Sequence, residues 1–322
     1  VGNTQIQAPL IKDKTMFSTE DFQMRIAVAD IGGTAVKCGI FENGKLSQVH
    51  EFPTDALQGG KAVINSVINA LAQLPDFQAV GISTAGQVNE KTGCIIYAND
   101  NLPDYTGMNL KEIFENRFHV PAAILNDVNA AALGEAFSGA GEGLNDFLML
   151  TYGTGVGGAI VIDGKLFTGK SWSAGEFGGI VVHPEKMIRG SGFSGCYENY
   201  ASATALVRQA QDYYPEITDG RMIFENIRIP SIKDILDKWI FEVVIGLVTL
   251  SHIFNPSAII LGGGIMSQQY VIDQIRLTLR PYLAGGFQDT AILQAGLGNR
   301  AGMTGAAAAA LERIKGKLSP CI

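Results

Sequence analysis

Residues 151–171 read TYGTGVGGAIVIDGKLFTGKS, and this stretch matches two phosphate-loop patterns at once. Gly153, Gly155 and Gly158 fit G-x-G-x-x-G, the dinucleotide fingerprint, whereas Gly164, Gly169, Lys170 and Ser171 fit G-x-x-x-x-G-K-S, the P-loop. Each pattern depends on a helix that opens beside the motif, so that its N–H groups and dipole meet the phosphate. Neither motif has one here. Gly158 runs into AIVI, whose β-branched residues favour a strand. Gly164 follows Asp163 in an Asp-Gly pair, a strong hairpin dipeptide. Ser171 precedes WSAGEFGG, which glycines interrupt before any helical period appears. The order is therefore an apolar strand (Phe147 to Leu150), a glycine turn, a strand (Ala159 to Ile162), a hairpin and a third strand.

The same unit stands earlier in the chain. Residues 25–49, RIAVADIGGTAVKCGIFENGKLSQV, give an apolar strand, a glycine turn, a second strand, the hairpin dipeptide Asn43-Gly44 and a third strand. Both hairpins continue through one tripeptide, Gly44-Lys45-Leu46 and Gly164-Lys165-Leu166, 120 residues apart. An internal repeat takes precedence over single motifs. It makes the glycines of 151–171 the partner of an earlier turn, and exposed N–H groups in two such turns form anion nests without a helix. One phosphate chain held from two sides is the expectation.

Size and composition bound the function. At 322 residues the chain exceeds what one core usually fills, so two domains are expected. Hydrophobic residues at 47% and charged residues at 17% describe a globular chain, and no apolar run approaches the roughly 18 residues of a membrane span. A net charge of −7 supplies no basic field for nucleic acid. Cys38, Cys94, Cys196 and Cys321 lie far apart with no C-x-x-C pair, which fits neither a disulfide framework nor an unaided zinc site and suits a reducing cytoplasm. Residues 1–23 lack the basic start and apolar centre of a signal peptide and read as an extension ahead of the folded unit, with Met16 or Met24 as candidate starts.

A duplicated strand–turn–strand–hairpin unit with helices between is the layout of the actin-like, ribonuclease-H-like ATPase folds, an α/β class. The segments ADIGGTAVKCGIF, GISTAGQVNEKTG, LNDVNAAALGEA, LTYGTGVGGAIVIDGKL, AGEFGG, GCYENYAS and IILGGGI come in an order and spacing that resemble the ROK family of repressors, open reading frames and kinases. Its enzymes phosphorylate sugars with ATP. The resemblance runs from about Arg25 to Gly316. It implies two domains around a cleft: a small one over 24–125, a large one over 126–302, and a C-terminal helix over about 303–318 that packs back on the small domain. It also implies ATP and Mg²⁺, and a hexose or hexose derivative phosphorylated on a hydroxyl, the 6-OH of a glucose or N-acetylmannosamine type first. A β-glucoside kinase, a fructose kinase and a non-catalytic sugar-sensing regulator are the alternatives. Repressors of the family carry a helix-turn-helix ahead of the first glycine-rich strand, and the 24 residues before Arg25 are too few for one. The segment 234–254, DILDKWIFEVVIGLVTLSHIF, is apolar nearly all round in its second half, so burial against a helix or a second subunit, and a homodimer, are expected.

Residue roles follow from chemistry and from the resemblance together. A sugar hydroxyl needs a base to take its proton and positive charge around the transferred phosphoryl group. Asp127 is the candidate base, although Asn126 and Asp127 are also the residue types that cap a helix opening at Val128. The resemblance makes Asp127 catalytic and sets Asn126 against the sugar. Asp30, ending the first strand at a glycine turn, is placed to hold Mg²⁺ through water. Gly32, Gly33, Thr34 and Lys37 would line the first phosphate turn, Gly153, Thr154, Gly155 and Gly157 the second, and Gly262, Gly263 and Gly264 the adenosine. Glu176 and Glu198 match glutamates that accept from sugar hydroxyls, Gly86 and Gln87 the loop near the C2 substituent, and Asn99 and Asn101 the same region. The resemblance fails at zinc. Most members carry His ten residues before C-x-C-G-x-x-G-C, and those ligand positions here are Gly179, Arg189, Ser191 and Cys196. One thiolate cannot make a tetrahedral site. No structural zinc is expected, and His183 is read as a loop histidine. Segment 178–196 must then be held by packing of Ile180, Val181, Val182 and Phe193, and Gly179 leaves a gap where the family's histidine touches the sugar.

Overall fold

The computed structural model describes residues 23–99, 102–192 and 194–316. β1 (Ile26–Ile31), β2 (Ala35–Glu42) and β3 (Lys45–Pro53) form an antiparallel meander. Asn43 and Gly44 turn the second hairpin at φ 53° and 73°, the paired positive angles that match strand twist. After α1 (Gly60–Leu71), β4 (Ala79–Thr84) lies parallel to β1. The small hairpin β5 (Gln87–Asn89) and β6 (Cys94–Tyr97) and the helix α2 (Leu110–Phe118) then lead to β7 (Ala122–Asn126), parallel to β4. The sheet order is β3-β2-β1-β4-β7. β1 and β4 are buried on both faces, which is why they read as unbroken apolar runs.

α3 (Asp127–Ser138) leads into a second half built to the same plan. β8 (Phe147–Tyr152), β9 (Val156–Ile162) and β10 (Lys165–Leu166) form its meander, with Asp163 and Gly164 at φ 51° and 70°. α4 (Glu198–Ala201), α5 (Ala203–Gln211), α6 (Gly220–Glu225) and α7 (Pro230–Phe254) precede β11 (Ala258–Gly262), parallel to β8. α8 (Gln269–Leu279) then leads to β12 (Ala291–Gln294), parallel to β11. The order β10-β9-β8-β11-β12 repeats that of the first sheet, strand for strand. This is the duplicated α/β, actin-like fold that the repeated hairpins implied. The halves differ at the third strand, which has nine residues in β3 and two in β10. Beyond Leu166 the chain turns away at Gly169 (φ 69°) into the loop that carries Glu176. On α7, Trp239 is fully buried and donates from Nε1 to Ser202 O at 3.0 Å, and Val243, Val244, Leu247 and Leu250 fill the second core.

α9 (Ala301–Ile314) follows the second sheet but packs against β1, β4 and β7 of the first half and against α3. Its small side chains permit the approach. A Cβ on Gly81 of β4 would stand 2.4 Å from Ala306 O. α3 and α9 cross backbone to backbone, and a Cβ on Gly305 would lie 1.7 Å from Ala130 O.

Candidate active site

The carboxyl ends of the parallel strands converge on one cleft of about 920 Å³, the place where open α/β sheets hold ligands. Asp30 comes from β1, Asn126 from β7, Thr151 from the end of β8, Leu261 and Gly262 from β11, and Gln294 from β12.

Asn126 and Asp127 divide the work at the start of α3. Asn126 is the cap: its Oδ1 accepts from Val128 N at 3.0 Å and Asn129 N at 3.1 Å. Its Nδ2 donates to Gly86 O and to Asp127 Oδ1, both at 2.9 Å. Asp127 occupies the first helical turn and accepts from Val128 N at 2.9 Å. Burial, and then the negative charge of Asp30, push its carboxyl up to about 6, against the pull of the Val128 and Asn126 hydrogen bonds. A carboxylate that binds a proton near neutrality is matched to general-base work.

Asp30 is raised as well, by burial, against a hydrogen bond from Ser83 Oγ at 2.6 Å and the charge of Lys37. Lys37 sits opposite Asp30 in the β1–β2 register, so both side chains share a sheet face and line the cleft. Two residues missed at the sequence level complete this corner. Ser83 comes from β4, and Gly302 from α9 passes so near that a Cβ there would lie 3.0 Å from Asp30 Oδ1.

The glycine turns face the same space. Gly32 and Lys37 line the cleft, while Gly33 and Thr34 form the exposed tip of the first turn, outside the lining. Gly153, Thr154, Gly155 and Gly157 of the second turn all line it. That turn is tied down: Gly153 O accepts from Ala203 N at 3.0 Å, and Val156 N donates to Glu198 Oε2 at 3.0 Å. Gly262, Gly263 and Gly264 line the opposite wall. Gly263 has φ 100° and lies against Tyr152, whose carbonyl oxygen would be 2.2 Å from an added Cβ, so no other residue fits. Lys170 and Ser171 are exposed, lie outside the cleft lining and open no helix. Met266, Ser267, Ala295, Gly298 and Asn299 also line the cleft, and no pattern in the sequence marks them.

Glu176, Glu198 and Asn99 line the remaining wall. Gly86 (φ 95°) and Gln87 are not among the lining residues; the first is bonded to Asn126 and the second reaches from the first half to the second, with Nε2 3.4 Å from Glu176 Oε1. Asn101 lies outside the described residues.

Of the four positions where most family members carry zinc ligands, only Cys196 keeps a thiolate or imidazole donor in this chain. Cys196 Sγ donates to Gly179 O at 3.3 Å, and among the described residues no group of three or more His, Cys, Asp or Glu side chains is arranged to hold a metal ion. Apolar packing explains only part of its order. Ile180 and Val182 pack on the second core, but Val181 is 46% exposed, contrary to the expectation from sequence, and Phe193 lies outside the described residues. His183 lies in the loop, as the sequence implied, and both its ring nitrogens are engaged. Among the described residues no helix is long and apolar enough to cross a membrane.

A family model described as the ROK family matches residues 26–313. An uncharacterized protein of Clostridium perfringens is 38% identical over 291 residues, 87% of this chain and 95% of that protein. A glucokinase of Streptomyces coelicolor is 35% identical over 313 residues, 88% of this chain and 96% of that one. The crystal structure of a ROK family glucokinase from Streptomyces griseus, in complex with glucose and AMPPNP, is similar with a TM-score of 0.77 at 33% identity, covering 89% of this chain and 99% of that chain.

Proposed function

The chain belongs to the ROK family and is an ATP-dependent sugar kinase, and on that footing we propose that it phosphorylates the 6-hydroxyl of a glucose-type hexose with Asp127 as the base. The observation that carries this is Asp127, with its carboxyl raised to about 6, on the wall of a cleft that two glycine turns also line. A hydroxyl aimed at phosphorus gains nucleophilicity as its proton leaves, and the proton passes to Asp127. Asn126 Nδ2 donates to Oδ1 of that carboxylate, and the family resemblance sets Asn126 against the sugar. Glu176 and Glu198 accept from vicinal hydroxyls and orient the ring, which converts binding into correct approach. Backbone N–H groups of the two turns and the Lys37 ammonium face the phosphates. Asp30 is the residue that would hold Mg²⁺, and that ion would supply the charge neutralisation that phosphoryl transfer requires. Zinc is not part of the protein in this reading, because Gly179, Arg189 and Ser191 are not ligands for it. The Gln87–Glu176 contact supports closure of the halves over the sugar, which would exclude water. The working form is a cytoplasmic homodimer, with sedimentation as its test.

A coupled ATP assay over glucose, N-acetylmannosamine, fructose, allose and a β-glucoside is the decisive experiment, with ³¹P–¹H correlation to locate the phosphate. Glucose is expected to turn over best, with the phosphate on O6. Binding of the sugars without turnover of any would replace the kinase by a sugar sensor.

A further inference from the structure

The two glutamates placed against the sugar stand at the feet of one loop. Glu176 precedes the 3-10 turn Phe177–Gly179 at one foot, and Glu198 opens α4 at the other. The limbs between run antiparallel: Tyr197 N donates to Ile180 O at 2.8 Å, and Val182 N and His183 N each donate to Gly195 O at 3.0 Å. The outer part of the loop has little apolar anchorage, with Met187 and Ile188 60% and 67% exposed. His183 ties it down. Its Nε2 is 2.9 Å from Glu242 Oε2 on α7, its Nδ1 is 3.0 Å from Glu185 Oε1, and its ring packs on Tyr200 of α4 with centroids 4.1 Å apart. An ionised carboxylate offers lone pairs only, so each contact needs an N–H on the ring. Neutral imidazole has one N–H, and imidazolium has two.

We infer that His183 is an imidazolium that acts as a positioning residue, stapling the Glu176–Glu198 loop to α7 and so fixing the sugar site. The inference rests on the reading that Glu176 and Glu198 hold the sugar. Burial alone would lower the pKa of His183, but the hydrogen bonds and charges of Glu242 and Glu185 outweigh it and the net shift is upward. The Glu185 carboxyl is lowered in turn, by its own backbone hydrogen bond and by His183. Glu242 faces the ring from α7, Glu185 from the loop and Tyr200 from α4, with Lys186 near Glu185 and Arg208 and Cys196 near Tyr200. With a raised folded value, both arms are made below the unfolded histidine range of about 6.5, and one is lost as pH rises through the folded value. Sugar affinity should weaken on the alkaline side.

The test is glucose affinity by titration calorimetry without nucleotide, from pH 6 to 9, in the wild type, His183→Ala, Glu242→Gln and Glu198→Gln. The wild type is expected to bind about fivefold more weakly at pH 9 than at pH 6, and His183→Ala about fivefold more weakly throughout, with no slope. Glu242→Gln should keep near wild-type affinity with a flat profile, because its amide donates to the unprotonated ring nitrogen. That profile decides the matter if His183→Ala does not fold. Wild-type affinity and slope in both staple variants, alongside weak binding by Glu198→Gln, would overturn the staple alone. Unchanged binding by Glu198→Gln would overturn the sugar assignment, and the staple with it.

Discussion

Asp127 is ionised at neutral pH against the pull of its surroundings. Its rise from 3.8 to about 6 means that folding disfavours the charged form. The linkage has a definite sign: relative stability is full below the unfolded value and is lost as pH rises through the folded one. At pH 7 the cost is roughly 3 kcal/mol, since each tenfold change in proton affinity corresponds to about 1.4 kcal/mol. Asp127→Asn should therefore lose at least about 10²-fold in kcat, with glucose affinity nearly unchanged, while gaining roughly that stability. Denaturant titrations at pH 7 and below pH 4 check the second half, because the gain must vanish in acid. A variant less stable than the wild type at pH 7 would show that Asp127 is a structural residue. In the wild type, kcat should fall as pH drops through 6, where the base becomes protonated. The site was legible at this scale only where a residue carries its own context. Asp30, Asp127 and the glycine turns each sit in one short segment. Ser83 lies 53 residues from the carboxylate it serves, and Gly302 reaches it from the far end of the chain, so neither leaves a local trace.

At the level of elements, what was legible was what local chemistry encloses. Asn43-Gly44 and Asp163-Gly164 fix two hairpins because both positions need positive φ, and they adopt it. The start of β9 at Val156 rather than Ala159 was hidden by Gly157 and Gly158, which are poor strand formers held in place by pairing with Leu150 and Thr151. Lys170 sits on an exposed turn beyond β10, so Lys170→Ala should leave the KM for ATP within about twofold of the wild type. A tenfold rise would restore the P-loop as the nucleotide site. The α3–α9 crossing gives the opposite expectation. Gly305→Ala forces a methyl group against the Ala130 carbonyl where no flexible side chain can yield, and should cost about 3 kcal/mol or more, seen as a large fall in Tm. Normal melting would mean that the helices are free to separate.

The whole molecule tests the metal assignments by separating activity from stability. A chelator should abolish turnover and Mg²⁺ alone should restore it, with Tm unmoved, and elemental analysis should return no stoichiometric zinc. One zinc per chain with chelator-dependent melting would reverse this. Two matching sheets suggest halves that complete themselves in turn, but α9 prevents it. Ile26, Val28, Ala79, Ala123 and Leu125 of the first sheet are covered by Met303, Ala307, Ala310 and Leu311. On a ribosome, the half made first therefore waits with an apolar face open until residue 314 has emerged. At about 5–20 residues per second that wait lasts on the order of 10–40 s, long enough for a holding chaperone to bind the nascent chain.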